Sequence, residues 1–208
     1  MKRLLLFVLI GLLQTATVSA QDETPNAKQA RRIFNKAYEQ VFGQQGSTLH
    51  YDVNIVGVYK TQGTIWLKGK KQRFSDEKCD TWNDGSTAYM AYRKKKTVEI
   101  HRANSDKKDK YSGKFKFTLD DFTYSIAKDP EGLLITLKQK KSAKGTIKEV
   151  KALVTEHDYV PIRLRLKVAF IWTTVKISKF RSGGISDDTF VFPRDKYEGW
   201  KYVDKRKD

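Results

Sequence analysis

The sequence predicts a mostly β (α+β) protein: a strongly curved antiparallel sheet forming an unclosed β-barrel, lidded by one or two helices. Three observations carry this. Residues 63–100 alternate apolar and polar side chains, break at short polar turns and alternate again, the period-2 signature of an antiparallel meander. Residues 161–170 alternate cleanly, with Ile162, Leu164, Leu166, Val168 and Phe170 on one face and Arg163, Arg165 and Lys167 on the other. Helical spacing of apolar residues is clear near the start, over residues 27–42.

Taken in order, residues 1–20 read as an export signal. Lys2 and Arg3 give the positive start, residues 4–13 the apolar run, and Val18-Ser19-Ala20 a small-residue cleavage site. The run is too short for a membrane span. Cleavage after Ala20 is expected to leave an exported single domain, residues 21–208, with no cysteine at its start to carry a lipid. Thr24-Pro25 then caps a helix. Ala30, Ile33, Phe34, Ala37, Tyr38, Val41 and Phe42 share one face, and Gly43 stops it. Such a face must dock on something apolar.

Strands are expected over 47–56, 59–67, 70–75, 80–83, 86–92, 97–102, 123–127, 133–139, 147–154 and 161–170. Asp84-Gly85 is the sharpest turn signal between them. Residues 103–112 form a polar loop, and 115–122 suit either a strand or a short helix. After Phe170 the apolar phase flips to Val175 and Ile177, so a turn or bulge is expected near 170–173. Phe190 and Phe192 read as a last short strand.

The chain carries 41 basic and 24 acidic residues. Losing Lys2 and Arg3 with the signal leaves 39 against 24, a net charge of +15. Each lysine run, such as Lys94 to Lys96 or Lys138 to Lys141, suits a solvated turn or a protected sheet edge. Their sum suits transient contact with an anionic surface, lipid headgroups or polysaccharide. Nucleic acid does not fit export. Cys79 is the only cysteine, so no intramolecular disulfide forms. It lies in an apparent polar connection with no histidine nearby in sequence and reads as an inert thiol.

No catalytic constellation emerges. His50, His101 and His157 lie far apart, Asp120-Asp121 and Asp187-Asp188 are adjacent pairs, and no phosphate-cradling loop or nucleophile elbow is present. The expectation is a non-enzymatic protein without metal or cofactor. What remains is apolar bulk on a curved sheet. Ile33, Phe34, Tyr38, Trp66, Trp82, Tyr89, Leu166 and Phe170 are the candidate wall of an apolar ligand cavity. Singly, each also fits an ordinary core. Trp66 has the strongest individual claim, because it points away from Ile65 and Leu67.

The strand Gly63-Thr-Ile-Trp-Leu-Lys68 is followed by Trp82, Asp84-Gly85, Tyr89 and then Lys96-Thr-Val-Glu-Ile100. Later come LLITLKQKK (133–141) and the ending ISDDTFVFPRDKYEGWKYVD (185–204). This order resembles the LolA family of periplasmic lipoprotein carriers across nearly the whole chain after the signal. The resemblance implies a concave face that receives the acyl chains of lipoproteins in transit from inner to outer membrane. It also implies an inner-membrane release machinery and an outer-membrane acceptor as partners. Each buried methylene is worth about 0.8 kcal/mol, so such cargo needs a carrier to cross water. One departure stands out. Where proteobacterial members have the Arg-Pro that latches the lid, this chain has Gly69-Lys70. The alternative reading is an envelope lipid-sensing module, or one binding anionic glycan or lipid, on the same fold.

Overall fold

Alternation becomes pairing over most of the chain. The computed structural model describes residues 24–55, 59–105 and 118–207. The export-signal reading, most of the expected polar loop at 103–112 and the start of the 115–122 segment lie outside them. Helix α1, Pro25–Phe42, starts as expected. The Thr24 hydroxyl accepts the Ala27 N–H (3.2 Å) and its carbonyl accepts that of Lys28 (3.0 Å).

Twelve strands follow among the described residues: β1 Ser47–Ile55, β2 Tyr59–Lys68, β3 Lys71–Asp76, β4 Cys79–Asn83, β5 Thr87–Tyr92, β6 Thr97–Arg102, β7 Phe122–Asp129, β8 Gly132–Gln139, β9 Ile147–Val154, β10 Pro161–Val168, β11 Ile171–Ser182 and β12 Lys201–Asp204. They form one sheet in the order β12-β6-β5-β4-β3-β2-β1-β11-β10-β9-β8-β7. β12 runs parallel to β6, while the pairs from β2 to β6 and from β7 to β11 are antiparallel. β12 and β7 end the order without pairing to each other, so the sheet is not closed. The expected class, mostly β with an open antiparallel sheet and one long helix, is borne out. Among the described residues no helix is long and apolar enough to cross a membrane, which says nothing of strands.

The Asp84-Gly85 turn forms as its sequence dictates. Gly85 takes a positive φ of 98°, and the Asp84 carboxylate accepts the N–H groups of Ser86 and Thr87 at 2.8 Å each. Burial opposes charge on Asp84, but these bonds win and hold its carboxyl below the usual range. Three expectations need correction. β10 ends at Val168, and Ala169-Phe170 form the hairpin turn, with Ala169 at φ 53°. Phe190 and Phe192 pack rather than pair: Phe190 closes a short 3₁₀ turn, Asp187–Phe190, and the last strand is instead β12. Cys79 opens β4 and is buried, not in a polar connection.

The chain divides into two compact units. The first takes the described residues of Met1–Glu39, Asp52–Lys60 and Asp109–Ser178. Here α1 lays Ala30, Ile33, Phe34 and Ala37 into a cluster with Tyr124, Ile135, Leu137, Val150 and Leu166. Arg31 fixes the helix, bonding Asp120 at 2.8 Å and lying 4.7 Å from the Tyr124 ring centroid. Asn26 uses its side-chain amide as a one-residue strand. It donates to the Ile126 carbonyl (2.9 Å) and accepts the Ile126 N–H (3.0 Å), occupying part of the β7 edge.

The second unit takes the described residues of Gln40–Tyr51, Thr61–Lys108 and Lys179–Asp208. One face of its meander buries Ile65, Leu67, Phe74 and Met90. Tyr51 stacks on Phe74 at 5.7 Å. Gly63 is required there, since a Cβ would strike the Tyr51 hydroxyl and the Ser75 carbonyl. The opposite face builds the candidate site.

Candidate functional site

Register lines up one residue from each of four neighbouring strands. Trp66 pairs with Arg73, Arg73 with Trp82, and Trp82 with Tyr89. Because side chains opposite one another in a sheet share a face, these four form a row. The Arg73 guanidinium lies 4.6 Å from the Trp66 ring centroid and 5.4 Å from that of Trp82. A planar, weakly hydrated cation between two indoles is favourable. Its Nε is buried without a hydrogen-bond partner in the structure.

The two ends of the row differ. At the far end Phe192 stacks on Tyr89 (4.4 Å) and on Tyr197 (5.2 Å), and both Phe192 and Tyr197 meet Trp82 edge-on. A carboxylate locks this cover in place. Asp80 accepts two bonds from Arg93 Nη2 at 2.7 Å and one from Nε at 3.0 Å, together with the Tyr197 hydroxyl (3.3 Å) and that of Ser75 (2.5 Å). Burial, and then the Asp80 charge, push the Tyr197 hydroxyl up to about 12. A second tether joins Asp187 to Lys68 (2.9 Å) and Lys71 (3.0 Å), whose hydrogen bonds lower the Asp187 pKa.

At the near end Trp66 stays half-buried beside an open recess of about 350 Å³. Thr48, Leu49 and His50 of β1, Thr64 and Trp66 of β2, and Lys179, Phe180 and Arg181 of β11 border it. Lys179 has a left-handed φ of 50° within β11, a local break in regular strand geometry where the strand borders the recess. Such interruptions re-aim side chains that regular alternation would send to opposite faces. The recess therefore has aromatic walls with two cations at its border, suited to an apolar group that carries a negative charge.

The structure distributes the sequence-predicted residues over three settings. Ile33, Phe34 and Leu166 lie in the helix cluster of the first unit, with Tyr38 packed against it. Burial, and then Glu39, raise the Tyr38 hydroxyl to about 12. Trp82 and Tyr89 join the aromatic cluster under the C-terminal segment. Trp66 borders the recess, and Phe170 stands at a hairpin tip, 84% exposed. Sequence reasoning missed Arg73, Lys179, Phe180 and Arg181. Arg73 was legible only once the Trp66–Arg73–Trp82 register was known. Among the described residues no group of three His, Cys, Asp or Glu is placed to hold a metal ion.

An open, mostly antiparallel sheet with, among the described residues, a single long helix is the fold class expected from the sequence. Comparison with solved structures agrees on the fold. An uncharacterized conserved protein from Thermus thermophilus is similar at a TM-score of 0.59 and 10% identity, over 85% of this chain and 99% of that one. A LolA superfamily protein from Nitrosomonas europaea matches at 0.41 and 10% identity, over 79% and 98%. The Mycobacterium tuberculosis lipoprotein LppX matches at 0.45 and 9%, over 77% and 99%. The first of these shows the fold. No family model and no curated protein matches the sequence.

Proposed function

We propose that this is an exported, non-enzymatic carrier of acylated lipoproteins or a comparable amphiphile, working in the periplasm between the two membranes. In this reading residues 1–20 are removed after Ala20 and residues 21–208 act as one carrier domain. The observation that carries it is the recess beside Trp66, on a fold read independently from sequence as LolA-like. At about 350 Å³ it falls at the low end of small-ligand clefts, ~300–1,000 Å³. It therefore suits one acyl chain or headgroup at a time, with Lys179 and Arg181 pairing the anionic part. Of the residues proposed from sequence, Trp66 is the one that borders this recess and is the first to test. The donor would be an inner-membrane release machinery and the acceptor an outer-membrane protein, as the resemblance implies. The Gly69-Lys70 departure means that release does not use the Arg-Pro latch.

The test is native mass spectrometry on protein purified from its own envelope, followed by lipid extraction. A stoichiometric acylated species released on denaturation is the expected result, with uptake of a fluorescent acyl probe that Trp66→Glu abolishes. A clean apo mass with no probe uptake sinks the carrier reading. The second reading, a module binding anionic envelope lipid or glycan without enclosing chains, is favoured by the net charge of +15 that remains once residues 1–20 are removed. It predicts binding that falls steeply with salt and ignores Trp66.

A further inference from the structure

The first unit carries a feature that a carrier recess does not explain. Phe170 is 84% exposed and its neighbour Ile171 is 46% exposed, side by side at the tip of the β10–β11 hairpin. One row behind the tip, Lys167 pairs with Trp172; two rows further, Arg165 pairs with Thr174 and with Lys151. Trp172 is ringed by cations: Arg165 lies 4.8 Å, Lys151 5.5 Å and Lys167 5.9 Å from its ring centroid. Glu149 is the carboxylate in these rows, 3.6 Å from Lys151. The Ala169 N–H donates to the Thr146 carbonyl (3.2 Å) and so holds the β8–β9 turn beside the tip. That turn adds the exposed Lys141 and Lys144.

From the tip inward the order is apolar, then indole with ammonium, then further cations. A bilayer with anionic lipid presents the same order from inside to outside: hydrocarbon, an interface that tryptophan prefers, and a negative surface that attracts lysine and arginine. We infer that the β10–β11 hairpin tip, with the adjoining β8–β9 turn, docks the protein onto an anionic lipid membrane by inserting Phe170 and Ile171. A soluble polyanion would account for the cations but not for the exposed apolar pair at their apex. The inference rests on the chain being an envelope protein, but not on carriage by the recess.

The experiment is flotation of the mature protein with vesicles of phosphatidylcholine alone and with phosphatidylglycerol added. Binding is expected only with the anionic lipid. Phe170→Ser should weaken it about tenfold, the scale of losing one buried aromatic side chain, and Lys144→Glu about fivefold or more. Both positions are exposed, and circular dichroism would verify their folds. Brominated lipid should quench tryptophan emission, and Trp172→Phe should remove most of that quenching. Two results overturn the proposal: no binding to anionic vesicles, or salt-sensitive binding to which Phe170→Ser makes no difference, the mark of a polyanion site. Acyl-probe uptake measured on the same variants separates this failure from failure of the carrier reading, because Phe170→Ser should leave uptake intact.

Discussion

The two units each cover a sheet face, by different means. In the first, α1 brings four apolar residues at helical spacing onto aliphatic strands, with its backbone already satisfied by its own hydrogen bonds. In the second, an irregular segment from Ser186 onward covers the face with Phe192, Tyr197 and Trp200. Lacking a helix ladder, it relies on short 3₁₀ turns and on the Asp80–Arg93–Tyr197 lock. A regular element can cover a sheet by packing alone, whereas an irregular one needs large rings and polar anchors to fix a single arrangement. The second unit should therefore be the more sensitive to pH and to single polar changes.

The sharpest way to break this contrast is to delete a packed ring from the helical cover and the polar anchor from the irregular one. Phe34→Ala should cost about 4 kcal/mol, read by urea unfolding. Asp80→Ala should cost about 2 kcal/mol, since Arg93 is half exposed and keeps part of its hydration. Its effect should be seen in tryptophan emission, as Trp66, Trp82 and Trp200 all belong to the second unit. If Asp80→Ala proves silent, the lock is ornament and the rings suffice. At the helix start Thr24→Ala should cost about 1 kcal/mol, a loss visible in thermal melts.

Alkaline titration sharpens the comparison at smaller amplitude. Tyr197 has its pKa raised from 10.0 to about 12 in the folded state. The stability this contributes is complete below pH 10 and drains away as pH rises towards 12. Tyr197→Phe should flatten the alkaline limb of a stability–pH curve relative to the parent; an unchanged limb would count against burial and the Asp80 charge having raised this hydroxyl. In acid the sign reverses. Asp187 is lowered by Lys68 and Lys71, so its tether is present above the ordinary aspartate value of 3.8 and weakens as pH falls below it. Asp187→Asn should remove a small acid-sensitive step in proteolysis of the C-terminal segment.

What the sequence made legible was whatever alternates. β2 to β6 and β10 appear near their expected bounds because apolar and polar residues take turns in their sequences. Phe170 continued the alternating pattern while the chain was already turning, and no residue near Ala169 has the glycine that would announce the turn. Phe190 and Phe192 mimicked a strand because both rings pack, and packing can produce period 2 without pairing. β12 was missed because four residues with two charges carry little signal, and its partner lies about a hundred residues earlier. Of the candidate site, Trp66 was legible from its face alone. Arg73 between two indoles needed register, and the bordering Lys179–Arg181 needed a backbone irregularity that no composition predicts.

The parallel pairing of β12 with β6 has a consequence for synthesis. β6 is made early, and its outer edge offers unpaired N–H and C=O groups until β12 arrives, the last of the twelve strands to be translated. During that interval a nascent chain exposes a template on which a neighbouring copy can pair. Holding factors, export in an unfolded state, or slow elongation would thus bear on yield through this one edge. A stop codon before Lys201 would leave that edge uncovered and favour aggregation over a merely shortened protein.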